Sequence, residues 1–189
     1  MNLANVWPLL HSSPVMADTS QLVSAAGVLI AVTDSPENPE VVLTKRAVTM
    51  NTHAGQVAFP GGRWEDGDGS IQATALRESC EEIALAPQTV AIKGCLRDRR
   101  SLHGLQVFPF VGVIPETTVF SLNSDEIHSL FRVPLRYLVD SHPDRMDQIE
   151  RHGEKATVPA WYYEGYEIWG LTALFLHDLV ALIRTAEVA

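Results

Sequence analysis

The sequence predicts a domain of the α/β or α+β class, because stretches typical of strands and of helices are mixed along the chain. Residues 23–32 are apolar and rich in Val and Ile, as in a buried strand. Residues 71–85 contain neither Gly nor Pro and follow Ser70, a residue type that caps helices. Residues 170–184 predict a long apolar helix. Together these features predict a sandwich of sheet and helices.

The first part of the chain combines an arm with several strands. Residues 1–21 contain Pro8 and Pro14 and predict an N-terminal arm, whereas residues 22–189 predict a single domain. Further strands are predicted at residues 41–46, 56–59, 90–97 and 107–114. Loops are predicted between them, at residues 34–39, 49–55 and 98–104.

The last part of the chain predicts a helix, a hairpin and a group of aromatic residues. Residues 123–131 predict a helix with Ser124 as its cap. A hairpin around Gly153 is predicted to join residues 146–151 to residues 157–163. The aromatic residues suggest either packing or stacking on an adenine, and packing is the commoner role. They are Trp161, Tyr162, Tyr163, Tyr166 and Trp169.

The composition limits the classes of function. The chain has 189 residues, with 14 Lys and Arg against 23 Asp and Glu and a formal net charge of −9. This balance argues against nucleic acid or an anionic membrane as a partner, since both need a basic surface. Cys80 and Cys95 suggest no disulfide framework, and no stretch resembles a signal peptide or a membrane span. We therefore expect a cytoplasmic protein, either monomeric or homodimeric.

The helix predicted at residues 71–85 has an acidic face. At about 100° per residue, its apolar and acidic side chains fall on opposite faces. The face predicted to be buried carries Ala73, Leu76, Cys80 and Ile83. The opposite face carries Glu78, Glu81 and Glu82, and Arg77 is placed to pair with Glu81.

Three neighbouring carboxylates allow two interpretations. A run of charges is usually a solvated helix face. Clustered carboxylates also suit Mg²⁺ or Mn²⁺, and Mg²⁺ commonly brings phosphate with it. The turn Phe59-Pro60-Gly61-Gly62 just upstream favours the second interpretation, because glycine lets the main chain approach a ligand closely.

The glycine-rich segment and the acidic helix together form residues 59–85, which read FPGGRWEDGDGSIQATALRESCEEIAL. This stretch closely resembles the Nudix box, G-x5-E-x7-R-E-U-x-E-E-x-G-U, in which U is a bulky apolar residue. The matching positions are Gly62, Arg77, Glu78, Glu81, Glu82 and Leu85. One extra residue lies between Gly62 and Arg77. The other departures are Asp68, Ser79 and Ala84, which stand where the box has Glu, U and Gly. The metal-binding half of the box is intact.

A second resemblance lies just upstream, in residues 42–62, which read VLTKRAVTMNTHAGQVAFPGG. This segment is similar to the signature of the coenzyme A diphosphatase branch of Nudix hydrolases. That signature is L-L-T-x-R-[SA]-x3-R-x3-G-x3-F-P-G-G. The matches are Leu43, Thr44, Arg46, Ala47, Gly55, Phe59, Pro60, Gly61 and Gly62. Asn51 replaces the second Arg of the signature, so one cation able to meet a phosphate is lost. Later in the chain, the W-G-x-T-A start of the branch's last helix is matched by Trp169, Gly170, Thr172 and Ala173.

The resemblance implies the Nudix fold, a mixed β-sheet sandwiched between helices. The branch implies coenzyme A or its thioesters as the substrate, cut at the pyrophosphate to 3′,5′-ADP and 4′-phosphopantetheine. Mg²⁺ or Mn²⁺ held by Glu78, Glu81 and Glu82 would neutralise the pyrophosphate and activate a water. Nudix enzymes often use a further acid beyond the box, for which Asp125 and Glu126 are the candidates and Glu126 is preferred. An equally good interpretation is that both are ordinary acids of a first helical turn.

The resemblance also implies roles around the reaction centre. Glu81 or Glu126 would take the proton from the attacking water. Lys45 and Arg46 end a predicted strand near the site, and Arg46 is expected to face a phosphate or to hold a loop. The main chain at Gly61 and Gly62 is expected to lie against the substrate, and the Gly62 carbonyl to complete the metal shell.

Two alternative functions stay open. The first is a different substrate, either another nucleoside diphosphate derivative or a nucleoside triphosphate. This alternative stays open because Asn51 replaces the second Arg of the signature. A Nudix-like module that binds a ligand without catalysis is the second alternative. Such a module would be expected to lose glutamates of the box, whereas Glu78, Glu81 and Glu82 are all present.

Overall fold

The computed structural model describes residues 1–12, 19–49, 54–102, 104–151 and 154–188. The strands are β1 (Ala25–Thr33), β2 (Glu40–Arg46), β3 (Val57–Ala58), β4 (Gly61–Arg63), β5 (Ala91–Cys95), β6 (Arg99–Arg100), β7 (Gln106–Ile114), β8 (Ile127–Pro134), β9 (Arg145–Arg151), β10 (Glu154–Tyr163) and β11 (Tyr166–Ile168). The α-helices are α1 (Ile71–Ile83), α2 (Leu135–Asp140) and α3 (Gly170–Val188). Short 3₁₀ turns lie at Leu3–Asn5, Trp7–Leu9, Thr19–Ser24 and Pro87–Thr89.

The main sheet is mixed. Its central path runs β3-β2-β1-β7-β5, with β4 paired to β1, β6 to β7 and β8 to β2. The pairing of β1 with β7 is parallel and in register from Ala25↔Gln106 to Thr33↔Ile114, whereas β1 pairs with β2 in the antiparallel sense. A second sheet has the order β11-β10-β9.

Helices cover both faces of the main sheet. Alternate residues of a strand point to opposite faces, so Leu29 and Ile30 of β1 lie in different cores. Leu29 packs with Ile71 and Ala75 of α1. Ile30 lies in the core that contains apolar residues of α2 and α3. The predicted α+β class and the Nudix arrangement of a mixed sheet between helices are therefore confirmed.

Helix α1 lies unusually close to β1. A Cβ atom built on Gly27 would stand 2.3 Å from the Ile71 carbonyl oxygen and 3.0 Å from the Ala75 nitrogen. Only glycine leaves room for the helix backbone at this distance. The close approach determines the height of the helix above the sheet.

The prediction of the buried face of α1 was right for Ile83 and wrong for Ala73 and Cys80. Helix α1 begins at the predicted cap, since Ser70 Oγ accepts a hydrogen bond from the Ala73 nitrogen. Its buried residues are Ile71, Thr74, Ala75, Ser79, Glu82 and Ile83, and Cys80 is exposed. The helix therefore turns Glu82 towards the sheet, where other segments supply its hydrogen-bond donors. Periodicity does not reveal those donors.

The prediction of a helix at residues 123–131 was also wrong. Asn123 to Glu126 form a single turn, in which the Asn123 carbonyl accepts from the nitrogens of Glu126 and Ile127. The chain then continues as β8, which pairs with β2 from Glu40↔Pro134 to Arg46↔Ile127. Pairing with a strand far away in sequence outweighs the local preference for a helix.

The hairpin of β9 and β10 was predicted correctly, and the tip that contains Gly153 lies outside the described residues. Residues 50–53, with Asn51 and His53, also lie outside the described residues.

The beginning of the chain packs on the body. Val6 is buried in the core beside α3, and Trp7 and Leu10 pack against the same core while Leu9 is exposed. His11 forms a bridge to Cys95 at the end of β5. Within the described ranges, no helix combines the length and apolar character needed to cross a membrane.

Candidate active site

Residues 59–62, predicted as a turn, end in the first two residues of β4 and bring bare main chain against β1 and α1. The Pro60 carbonyl accepts from the Leu29 nitrogen at 2.8 Å. Gly61 has φ of +149°, and a Cβ atom there would lie 2.4 Å from the Gly27 carbonyl oxygen. A Cβ atom on Gly62 would stand 2.3 Å from Cδ of Glu78, so this carboxyl group lies directly on the Gly62 backbone.

Glu82 is held by two donors from different parts of the chain. Its side chain is 2% exposed. Oε2 accepts from the Gly61 nitrogen at 3.1 Å, and Oε1 accepts from Arg46 Nη1 at 3.2 Å. Burial raises the pKa of Glu82 to about 7, against the hydrogen bond from Gly61 and the charge of Arg46, and repulsion by Glu78 and Glu126 adds to the rise.

Arg46 reaches Glu82 from the end of β2. The pairing of β2 with β8 is irregular between Lys45 and Arg46, where the register passes from Lys45↔Ser129 to Arg46↔Ile127. Such irregularities re-aim a side chain. The Arg46 side chain is 18% exposed, so its guanidinium is largely withdrawn from water.

Arg77 organises the acids at the entrance of the site. It binds Asp68 through Nε at 2.9 Å and Nη2 at 3.1 Å, and Nη2 also donates to the Arg63 carbonyl at 3.2 Å. Its Nη1 lies 3.2 Å from Glu78 Oε1 and 3.0 Å from Glu81 Oε2, so the predicted pairing of Arg77 with Glu81 is present.

Asp68 stands where the box has its loop glutamate, and here it anchors Arg77. Burial alone would raise the pKa of Asp68, but hydrogen bonds from Arg77, Thr74 and the Glu65 nitrogen outweigh burial and hold it below its ordinary value. Asp68 therefore stays ionised as the fixed partner of Arg77.

Glu78 and Glu81 differ in their surroundings. Burial raises the pKa of Glu78 above its ordinary value, opposed by Arg77 and reinforced by Glu81 and Glu126. Glu81 is 55% exposed and bound to Arg77. Glu78 thus faces the interior of the site, whereas Glu81 lies at its rim.

Glu126 joins the site through the turn that follows α1. The Asn123 nitrogen donates to the Glu82 carbonyl at 2.9 Å, and the Ala47 nitrogen donates to the Glu126 carbonyl at 2.8 Å. Asn123 Nδ2 lies 3.4 Å from Glu126 Oε1. The charge of Glu126 also raises the pKa values of Glu78 and Glu82, and we call these three side chains the carboxylate cluster. Asp125, the other candidate, is exposed.

Lys45 and Arg46 diverge. Lys45 Nζ lies 5.9 Å from the centroid of the Tyr166 ring, and that ring stacks on Phe131 at 3.8 Å. Arg46 points instead to Glu82 on the α1 side. The structure thus brings Arg46, Gly61, Gly62, Glu78, Glu82 and Glu126 together, and places Lys45 at an aromatic contact.

The other predicted aromatic residues have packing and surface contacts. Trp161 is 1% exposed and lies in the core. Trp169 Nε1 donates to Asp147 Oδ2 at 2.8 Å, and the exposed Tyr162 hydroxyl meets Arg145 and Glu167.

Two residues important for the site were missed from the sequence. Gly27, which admits α1, lies inside a predicted strand, and a glycine in a strand interior is itself a signal of close backbone approach. Asn123, which ties Glu126 to the end of α1, has no comparable local signal.

The chain is similar to known proteins in sequence. The family model described as a NUDIX domain matches residues 23–153. A protein named uncharacterized Nudix hydrolase NudL from Cronobacter sakazakii is 39% identical over 170 residues, which cover 90% of this chain and 88% of the relative. A protein of the same name from Escherichia coli is 41% identical over 161 residues, covering 84% of this chain and 82% of the relative.

Solved structures show the same fold. A MutT/nudix family protein from Enterococcus faecalis has a TM-score of 0.55 at 15% identity, covering 99% of this chain and 70% of that one. A C. elegans Ap4A hydrolase binary complex has a TM-score of 0.51 at 17% identity, covering 61% of this chain and 83% of that one.

The chain belongs to the Nudix hydrolase family. It is an enzyme, a pyrophosphohydrolase of the class that acts on nucleoside diphosphate derivatives. Enzymes of this family generally use a divalent cation.

The carboxylate cluster has the chemistry of a hard-cation site. Its donors are oxygens, and burial raises the pKa values of Glu78 and Glu82, so a bound cation would stabilise their charged forms. In the part of the chain that the structure describes, no three acidic, His or Cys side chains stand together at the geometry of metal ligands. Glu78 and Glu82 therefore fit a hard cation by the chemistry of their donors.

Proposed function

We propose that this enzyme hydrolyses the pyrophosphate bond of coenzyme A or its thioesters, giving 3′,5′-ADP and 4′-phosphopantetheine or its acyl form. One observation carries the proposal. Arg46 and Gly61, both from the segment similar to the coenzyme A diphosphatase signature, donate to the two oxygens of Glu82 in the box helix. The signature and the box therefore meet at a single carboxylate, as expected if they serve one substrate.

We propose Glu78 and Glu82 as the main ligands of Mg²⁺ or Mn²⁺, with Glu81 beside them and the Gly62 carbonyl as a further oxygen. When bound, the cation supplies charge neutralisation at the pyrophosphate and activates the attacking water. Arg77 holds Glu78 and Glu81 by ion pairs of 3.2 and 3.0 Å, so their side chains are positioned before a ligand arrives.

The remaining roles belong to the residues around this cluster. Arg46 carries N–H groups that suit phosphate oxygens. Glu126, held through Asn123, is proposed to take the proton from the water, and Glu81 is the alternative base. Lys45 is proposed to meet a peripheral phosphate, for which its ammonium would leave the Tyr166 ring.

The direct test is hydrolysis of coenzyme A and acetyl-coenzyme A by the purified protein with Mg²⁺ or Mn²⁺, with products identified by mass. We expect 3′,5′-ADP, and we expect Glu78→Gln and Glu82→Gln to abolish its formation. Glu116→Gln is the matched control, because Glu116 is an exposed acid outside the cluster. Cleavage of a dinucleotide but not of coenzyme A would disprove coenzyme A as the substrate. The assignment as a pyrophosphohydrolase would stand.

Asn51 favours one alternative substrate class. Because the signature's second Arg is missing there, another nucleoside diphosphate derivative, such as a dinucleotide or a nucleotide sugar, is the second candidate. A substrate panel tested alongside coenzyme A separates the two by their kcat/KM values. The proposed location is the cytoplasm, which cell fractionation checks.

A further inference from the structure

The backbone of Arg46 is fixed on both sides. Its nitrogen donates to the Gln56 carbonyl at 3.0 Å, and the next nitrogen, of Ala47, donates to the Glu126 carbonyl at 2.8 Å. The Cα atom of Arg46 therefore has little freedom to move. Any change in what Arg46 contacts must come from rotation of its side chain.

The guanidinium of Arg46 is only partly used. Nη1 binds Glu82 Oε1 at 3.2 Å. Nε is buried and has no hydrogen-bond partner among the described residues. A guanidinium has five N–H donors in a fixed planar fork, and buried donors are normally paired. The site thus presents a fixed cation with a spare donor beside the carboxylate cluster.

Both oxygens of Glu82 are already bound. Oε2 accepts from the nitrogen of Gly61, the first residue of β4, and Oε1 accepts from the Arg46 side chain. A cation that uses Glu82 must share an oxygen with one of these donors, and the positive charge of Arg46 repels it whereas the neutral Gly61 nitrogen does not. The side chain of Arg46 rotates more easily than the backbone of Gly61, so Oε1 is the oxygen that becomes available.

We propose that Arg46 couples cation binding to pyrophosphate binding, because its guanidinium and the cation compete for Oε1 of Glu82. When the cation takes Oε1, the guanidinium turns to the pyrophosphate oxygens, which accept from its fork of donors. Each ligand then favours the other, as linkage requires. The inference rests on the proposed cation site.

The test measures Mn²⁺ binding without turnover. Free Mn²⁺ is followed by electron paramagnetic resonance, with and without the non-hydrolysable probe α,β-methylene-ADP, and chelation by the probe alone is subtracted. The variants are Arg46→Met, which keeps the length of the side chain but removes the charge, and Arg46→Lys. The matched control is Lys93→Met, which removes the same charge from an exposed residue of β5 that has no part in the proposed site.

In Arg46→Met we expect Mn²⁺ alone to bind at least about threefold more tightly than in the wild type, because the competitor for Oε1 is gone. The tightening of Mn²⁺ binding by the probe should fall at least about fivefold relative to the wild type. Lys93→Met should change the affinity for Mn²⁺ less than about twofold, since surface charges act weakly at a distance in salt. If Arg46→Met does not fold, Arg46→Lys is the substitute test. This variant keeps the charge, but we expect it to lose the coupling because an ammonium lacks the fork of donors that matches phosphate oxygens.

Three outcomes would overturn the inference. Unchanged or weaker Mn²⁺ binding in Arg46→Met would exclude competition and leave the proposed function standing. Equal effects of Lys93→Met and Arg46→Met would show that the effect comes from net charge alone. Failure of the wild-type protein to bind Mn²⁺ would remove the cation site itself, and the proposed function with it.

Discussion

Arg46 Nη1 lies 3.2 Å from Glu82 Oε1, although 36 residues separate them in sequence. The contact joins the end of β2 to the buried face of α1. It also makes Glu82 a buried acid whose partners come from two other segments, so several measurable properties should depend on it.

The first prediction concerns the dependence of stability on pH. The folded-state pKa of Glu82 is about 7 against an ordinary value of 4.5, so the folded state binds the proton more tightly than the unfolded state. Without added cation, the contribution of Glu82 to the free energy of unfolding should therefore be largest below about pH 4.5. This contribution should fall by about 3 kcal/mol as the pH rises to about 7. Glu78, whose pKa is also raised, contributes with the same sign.

Urea unfolding in EDTA at several pH values measures this effect. Glu82→Gln should flatten the decline, because the amide does not titrate. An equal slope in the wild type and the variant would contradict the prediction, and Glu116→Gln is the control with an exposed acid.

The second prediction concerns the end of α1. Ala84 has φ of 56° and ψ of 30°, a left-handed conformation that costs an L-residue with a Cβ atom about 1 kcal/mol. Ala84→Gly should therefore raise the free energy of unfolding by about 1 kcal/mol. Ala86, two residues on, has φ of −64°, so Ala86→Gly should lower it by about 0.5–1 kcal/mol. Chemical denaturation should give these opposite signs, and equal signs would refute the assignment of strain.

The third prediction concerns the approach of α1 to β1. Gly27→Ala would place a methyl group 2.3 Å from the Ile71 carbonyl oxygen, so the helix must move. We expect a loss of stability of about 1–3 kcal/mol together with reduced activity, since Glu78 and Glu82 move with the helix. Gly69→Ala is the control, because a Cβ atom there meets nothing within 4 Å. A variant as stable and active as the control would show that the helix does not need this closeness.

The fourth prediction concerns Arg77 as a positioning residue. Arg77→Lys keeps the charge but loses the fork that binds Asp68 and the Arg63 carbonyl together with Glu78 and Glu81. We expect the affinity for Mn²⁺ to fall about 10–100-fold, as for other residues that orient metal ligands. Arg136→Lys is the control, because Arg136 forms exposed ion pairs away from the cluster. Unchanged affinity for Mn²⁺ would restrict Arg77 to a structural role.

Several elements were predictable because their signals are local. The Val- and Ile-rich run of β1, the Ser70 cap of α1 and the hairpin of β9 and β10 depend on neighbouring residues, and the structure contains all of them. The resemblance to the Nudix box rests on residue types at fixed positions in consecutive sequence, and the match of residues 23–153 confirms the family. Cys80 was wrongly placed in the core because the helical period defines faces but not which face meets the sheet.

The sequence by itself determined the fold class and the family, since periodicity, turn glycines and the box motif are encoded in consecutive residues. The tertiary structure decided that Glu82 points inward, that residues 127–134 form a strand and that Lys45 and Arg46 lie on different sides. The physical reason is the same in each case. Hydrogen-bond partners and strand neighbours from distant segments determine whether a charged side chain is buried or a backbone becomes extended, and these partners meet only when the chain folds.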